Sequence, residues 1–91
     1  MSAYFYTYVL LSEKDSKFST GSTDDLKIRF EQHVGGRVAS TRNRRPLKLV
    51  YYEASLDRKD ARHREQYLKS YHGKMFLRSR LKSYLTGCKS F

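Results

Sequence analysis

The chain has 91 residues, and its 19 Lys and Arg against nine Asp and Glu leave a formal net charge of +10. A length of this order supports one domain that buries only about 60–65% of its unfolded surface, and a surface this basic calls for an anionic partner: nucleic acid, an anionic membrane or an acidic protein. The one cysteine, Cys88, excludes an intrachain disulfide and a multi-cysteine metal site, and fits a reducing, cytoplasmic setting.

The N-terminal "MSAYFYTYVLLS" has an apolar run but no basic n-region and no small-residue cleavage site. It falls far short of the ~20 apolar residues needed to span a bilayer. Residues 4–11 are therefore predicted to form a buried strand rich in aromatic and β-branched side chains. "SEKDSK" (12–17) is turn-prone, and "FSTG" (18–21) resumes extended character, so the two runs pair as a hairpin. The chain is expected to turn at Gly21 and enter a helix capped by Ser22 or Thr23. Asp24 and Asp25 would then occupy its first turn, where carboxylates favour the dipole. Leu26 and Phe30 mark its inner face, and Gly35-Gly36 ends it.

Residues 37–46, "RVASTRNRRP", read as a basic loop, and 47–54, "LKLVYYEA", as a further strand. A second helix is predicted over 57–70 with Asp57 as its cap. A third is predicted over 73–85, with a stripe of Met75 or Phe76, Leu77, Leu81 and Leu85. The order β-β-α-β-α-α gives an α+β fold in which a small sheet is covered by helices.

Three helical residues have unusual placements. Glu65 stands four after Ala61 and three before Leu68, bordering a core stripe, so its charge needs a cation or a metal nearby. The plainer alternative is an i,i+4 pair with Lys69 on a solvated face. Arg29 and His33 line one edge of the face that Leu26 and Phe30 bury. Their plainer alternatives are a bridge from Arg29 to Asp25 and a half-buried ring for His33. Taken together, an Arg able to clamp a phosphate and a carboxylate able to hold a hard cation make a plausible phosphodiester site.

The ordered motifs resemble the GIY-YIG nuclease superfamily, in particular its small stand-alone members. The first motif falls on Tyr6-Thr7-Tyr8 and the second on Ser19-Thr20-Gly21, with eleven residues from Tyr8 to Ser19. Asp25, Leu26 and Arg29 follow in the pattern of the family's helix start, then His33, the "STRNRRP" loop, "LVYYE", and Glu65 in "RHREQYLKS". The resemblance covers nearly the whole chain. It implies a three-stranded antiparallel sheet flanked by helices and a metal-dependent phosphodiesterase site. In that scheme Tyr8 orients or deprotonates the attacking water, Arg29 stabilises charge on the phosphate, and Glu65 holds a single Mg²⁺ or Mn²⁺. His33 is a candidate proton-transfer group or phosphate ligand. Gly21 would let the strand turn sharply and let phosphate approach the backbone.

Two positions depart from the pattern: Tyr6 stands where the first motif has Gly, and Ser19 where the second has Tyr. Ser19 keeps a hydroxyl but loses reach and stacking surface. The expected function is an endonuclease, with DNA, and a role such as DNA repair, expected before RNA. The competing expectation is a basic nucleic-acid-binding module without efficient cleavage. Arg37, Arg42, Arg44, Arg45, Arg78 and Arg80 are the candidate phosphate contacts. A monomer or weak homodimer with no membrane partner is expected.

Overall fold

The computed structural model describes residues 3–87, so Cys88 lies outside the described residues. The elements are β1 (Phe5–Ser12), β2 (Phe18–Thr23), α1 (Leu26–Val34), α2 (Ala39–Arg42), β3 (Leu47–Ser55), α3 (Arg58–Lys69), α4 (Tyr71–Arg80) and α5 (Lys82–Gly87). The strands form one antiparallel sheet in the order β2-β1-β3, with helices on both faces. The α+β architecture expected from the sequence is the one observed.

β1 is central because its side chains are apolar or hydrogen-bonded on both faces, and Thr7 through Leu10 are all buried. Successive residues alternate between faces. Tyr8 and Leu10 pack with Leu47, Leu26 and Phe30, which places α1 on their side. Val9 packs with Leu68 and Leu77, which places α3 and α4 on the other. Full burial of each such leucine contributes about 1.5–3 kcal/mol.

The rotational phase of α3 is held by three interactions. Asp57 caps its start, its carboxylate accepting from Lys59 N. Thr7, buried in the sheet, donates to the Ala61 carbonyl at 2.8 Å. Arg64 pairs with Glu53 of β3 at 2.9 Å, and its guanidinium lies over the rings of Tyr67 and Phe76. Tyr51 donates to the same Glu53 carboxylate at 2.8 Å. With Arg64 directed toward β3, the next residue, Glu65, is presented to the opposite edge of the sheet.

Several local expectations are corrected. β2 runs on through Gly21 to Thr23, and no turn occurs at the glycine. The helix therefore begins later, and its cap is Asp25, whose carboxylate accepts from Ile28 N. Neither acid lies inside its first turn. The basic loop contains the one-turn helix α2. The third predicted helix starts two residues earlier, at Tyr71, because the Ser70 hydroxyl caps it by accepting from Gly73 N. It breaks at Leu81, and α5 follows.

Two glycines allow close approach. A Cβ on Gly73 would fall against the backbone of Tyr67 and Leu68, so α4 folds tightly back on the end of α3 only with glycine there. A Cβ on Gly21 would stand 2.6 Å from Tyr8 Cζ and collide with its hydroxyl. Gly21 pairs with Tyr8 across the ladder. Its role is to clear a path for the phenol to cross β2, not to turn the chain. Gly21→Ala should lower stability by about 1–3 kcal/mol, and most of that loss should vanish when Tyr8 is already Leu. Urea unfolding of the two single variants and the double variant measures it; an undiminished penalty in the Tyr8→Leu background would contradict the steric account.

Candidate active site

β2 is an edge strand, and a cleft of about 230 Å³ wraps its outer side. Tyr8 enters from one face of the sheet, over Gly21, while Arg29 and His33 of α1 stand beside it. Glu65 and Lys69 of α3 enter from the other face, beside Ser22. Ser19, Val38 and Ser40 complete the walls. The five sequence-predicted site residues, Tyr8, Ser19, Arg29, His33 and Glu65, thus meet at one edge, although they come from opposite faces.

Tyr8 combines two environments. Its ring belongs to the core at 3% exposure, and its hydroxyl lies 2.9 Å from His33 Nε2. Arg29 Nε approaches the same oxygen at 3.4 Å, while Arg29 Nη1 donates to Gln32 Oε1 at 3.0 Å. The bridge from Arg29 to Asp25 does not form, because the Asp25 carboxylate caps the helix. His33 is 3% exposed and therefore buried, not half-buried. Its other nitrogen, Nδ1, lies 2.8 Å from Thr41 Oγ1, and Thr41 is wholly buried on α2. Burial, followed by the positive charge of Arg29, lowers the His33 pKa from its ordinary 6.5. The ring is accordingly neutral at pH 7, suited to exchange a proton with the phenol.

Glu65 Oε1 accepts from Ser22 Oγ at 2.8 Å, and Oε2 accepts from Lys69 Nζ at 2.9 Å. The i,i+4 pair with Lys69 forms as the plainer alternative has it, with Lys69 exposed at the rim of the cleft and Glu65 half-buried. Among the described residues no three His, Cys, Asp or Glu side chains cluster as metal ligands. The donors here are one carboxylate and several hydroxyls, all hard oxygens. That set fits a dication such as Mg²⁺, which keeps much of its water and takes one or two carboxylates. It does not resemble a zinc cage.

The sequence profile of the GIY-YIG catalytic domain matches residues 4–80 of this chain. The chain belongs to the GIY-YIG family. A UPF0213 protein of Clostridium perfringens is 42% identical over 65 residues, covering 70% of this chain and 69% of its own. A UPF0213 protein of Haloquadratum walsbyi is 38% identical over 72 residues, covering 78% and 80%. The solution NMR structure of a UPF0213 protein from Bacillus halodurans is similar, with a TM-score of 0.52 and 33% identity over 84% of this chain and 83% of that one.

Of the residues expected for a GIY-YIG site, Tyr8, Ser19, Arg29, His33 and Glu65 all line the cleft. The arginines divide. Arg44 pairs with Asp15 at 2.9 Å and holds that carboxyl down at about 2. Arg45 donates to the Arg42 and Val34 carbonyls, closing the ends of α2 and α1. Arg37, Arg42, Arg78 and Arg80 are exposed. Thr41 and Ser22 were not anticipated. Ser22 could have been found from strand alternation, since it faces away from Gly21 and toward α3. Thr41 carried no signal, because nothing in "STRNRRP" marks a hydroxyl that folds inward.

The lowered pKa of His33 has a definite sign. The unfolded chain takes up a proton first, so stability is full above about 6.5 and is lost as pH falls toward the folded-state value. The midpoint of thermal unfolding should therefore drop as pH is lowered below 6.5, and His33→Gln should flatten that slope. Thr41→Val should cost about 1–3 kcal/mol by leaving a buried ring nitrogen without its partner. An unchanged slope in His33→Gln would show that another group governs the transition.

Proposed function

We propose that this GIY-YIG domain is a metal-dependent endonuclease that hydrolyses phosphodiester bonds of nucleic acid. The observation that carries the reading is the convergence of Tyr8, Arg29, His33 and Glu65 on one cleft at the β2 edge. With Nδ1–H of His33 donating to Thr41, Nε2 is left to accept from the Tyr8 hydroxyl. As a water attacks phosphorus, its proton passes to the Tyr8 oxygen while the phenol proton moves to His33. This is general base catalysis relayed through a tyrosine. The Arg29 guanidinium beside that oxygen favours the phenolate character it takes on as its own proton leaves for His33 ahead of the water's proton arriving. Its second amino group, Nη2, is free of the Gln32 bond and suits a phosphoryl oxygen.

Glu65 would hold the Mg²⁺ or Mn²⁺, with Ser22 orienting the carboxylate. Such an ion, when bound, supplies Lewis-acid stabilisation of the leaving oxygen. Lys69 neutralises Glu65 in its absence.

Ser19 is the observation that favours a second reading, a binding module that cleaves poorly. It lines the cleft, but its hydroxyl stops several ångströms short of where a tyrosine would reach. Displacing one catalytic group by about 1 Å can cost ~100-fold.

A labelled panel of single- and double-stranded DNA and RNA, incubated with Mg²⁺, Mn²⁺ or chelator, tests the proposal. Metal-dependent cleavage is expected, lost in Glu65→Ala with binding retained. Ser19→Tyr should raise the rate, by up to about 100-fold if reach is what limits it. Binding without cleavage under every metal condition would establish the binding module instead.

A further inference from the structure

A second concavity of about 500 Å³ lies at the hairpin end of β2, on the side of the sheet covered by α4 and α5. Lys17, Lys74, Arg78 and Arg44 line it, with Phe18 and Leu85 among its apolar walls. Lys74 and Arg78 are four residues apart and so share one face of α4. No acidic residue is among its lining side chains. Among the described residues, the carboxylate that pairs with a groove cation is Asp15, on Arg44.

The groove and the cleft share no lining residue, but residues close in sequence line both. Phe18 lines the groove and Ser19, the next residue of β2, lines the cleft. Lys69 lines the cleft and Lys74 the groove, on either side of Ser70, which ends α3 and caps α4. From Gly21 back to Lys17, the residue just before β2, the chain covers four residues, about 13 Å if extended.

We infer that this groove is a second phosphate-binding subsite, taking the backbone of the same polynucleotide strand a few nucleotides from the bond held in the cleft. This rests on the nucleic-acid reading of the cleft. Two features favour a polynucleotide over a small anion or an acidic polypeptide. The cations continue the line of the cleft along one strand edge, matching a regularly charged chain. The walls combine charge with apolar surface, which suits phosphate flanked by sugar and base.

The test is equilibrium binding in chelator, so that it does not depend on cleavage. A labelled single-stranded dodecanucleotide and a trinucleotide are compared with wild-type protein, Lys74→Gln and Lys17→Gln; the two variants alter different elements, and thermal melts confirm their folding. Each variant should lower the salt slope of dodecamer binding by about 0.7 and weaken dodecamer binding several-fold at about 0.1 M salt. Trinucleotide affinity should change much less. Dodecamer binding that is unchanged in both folded variants would overturn the proposal. So would equal losses for both lengths, which would show a general field effect, or polyglutamate competing as well as the dodecamer at matched charge. Failure of the nuclease reading would appear separately, as absent cleavage with this length-dependent binding intact.

Discussion

The site depends on the passage of the Tyr8 ring across the backbone of Gly21. A tyrosine on the central strand of a covered sheet would ordinarily bury its ring and find a hydroxyl partner inside the core. Here the opposite residue has no side chain, so the phenol leans outward over β2 and its oxygen reaches the cleft. The ring keeps its place in the cluster with Leu10 and Leu47, which makes the phenol oxygen as rigid as the core. His33 and Thr41 continue that rigidity outward: each is buried, and each is bonded to the next at 2.8–2.9 Å. In the proposed relay, two links fixed in this way would lose little ordering entropy when substrate arrives. Burial, and then the neighbouring charge of Arg29, are what lower the pKa of this histidine.

The second half of the site is positioned independently. Glu65 reaches the cleft because α3 cannot rotate, and α3 cannot rotate because Thr7 and the Glu53–Arg64 pair fix its two sides. Tyr51 holds the other end of that carboxylate. On the proposed reading the sheet separates two functions: proton transfer and phosphate contact would come from the α1 face, and cation binding from the α3 face. The free edge of β2 is where the two can meet, and a paired strand at that position would close the cleft. An exposed strand edge is normally a liability for unwanted pairing. In this chain, Arg29 and Lys69 flank it and Glu65 faces Ser22, so the same charges that make a site also discourage a neighbouring strand.

Much of this was legible in the sequence. Aromatic and β-branched runs placed the three strands, the Leu26–Phe30 spacing placed the first long helix and the Asp57 cap the second, and motif spacing pointed to Tyr8, Ser19, Arg29, His33 and Glu65, which all line the cleft. The misreadings have physical causes. Gly21 resembled a turn because glycine punctuates loops far more often than it clears space for a facing ring. Ser22 and Thr23 resembled caps because the true length of β2 depends on its pairing with β1, which no local pattern reveals. The break at Leu81 carries no glycine or proline. Thr41 lies in a segment whose composition reads as solvated loop, and only the approach of α1 gives its hydroxyl a partner. Long-range contacts of this kind are the part that local propensity does not encode.

Charge shows the same limit from another side. A net +10 on a small chain reads as one basic surface, but the structure sorts its cations by what they touch. Arg44 and Arg45 tie the basic loop to the hairpin and to the ends of two short helices, and Arg64 lies over aromatic rings against Glu53. These guanidiniums are committed before any ligand arrives, and removing one would loosen the scaffold as well as reduce charge. Lys17, Lys74 and Arg78 are different, because they line the groove at the hairpin end of β2 and pair with no carboxylate among the described residues, while Lys69 lines the cleft beside Glu65. Recognition of a phosphate chain depends on such linear placement more than on total charge, since each contact adds its counterion release only where a phosphate can reach it. Two of the four arginines in the basic loop, Arg44 and Arg45, are therefore architectural while Arg37 and Arg42 stay exposed, and on the proposed reading the lysines of α3, α4 and the hairpin mark the path a strand would follow.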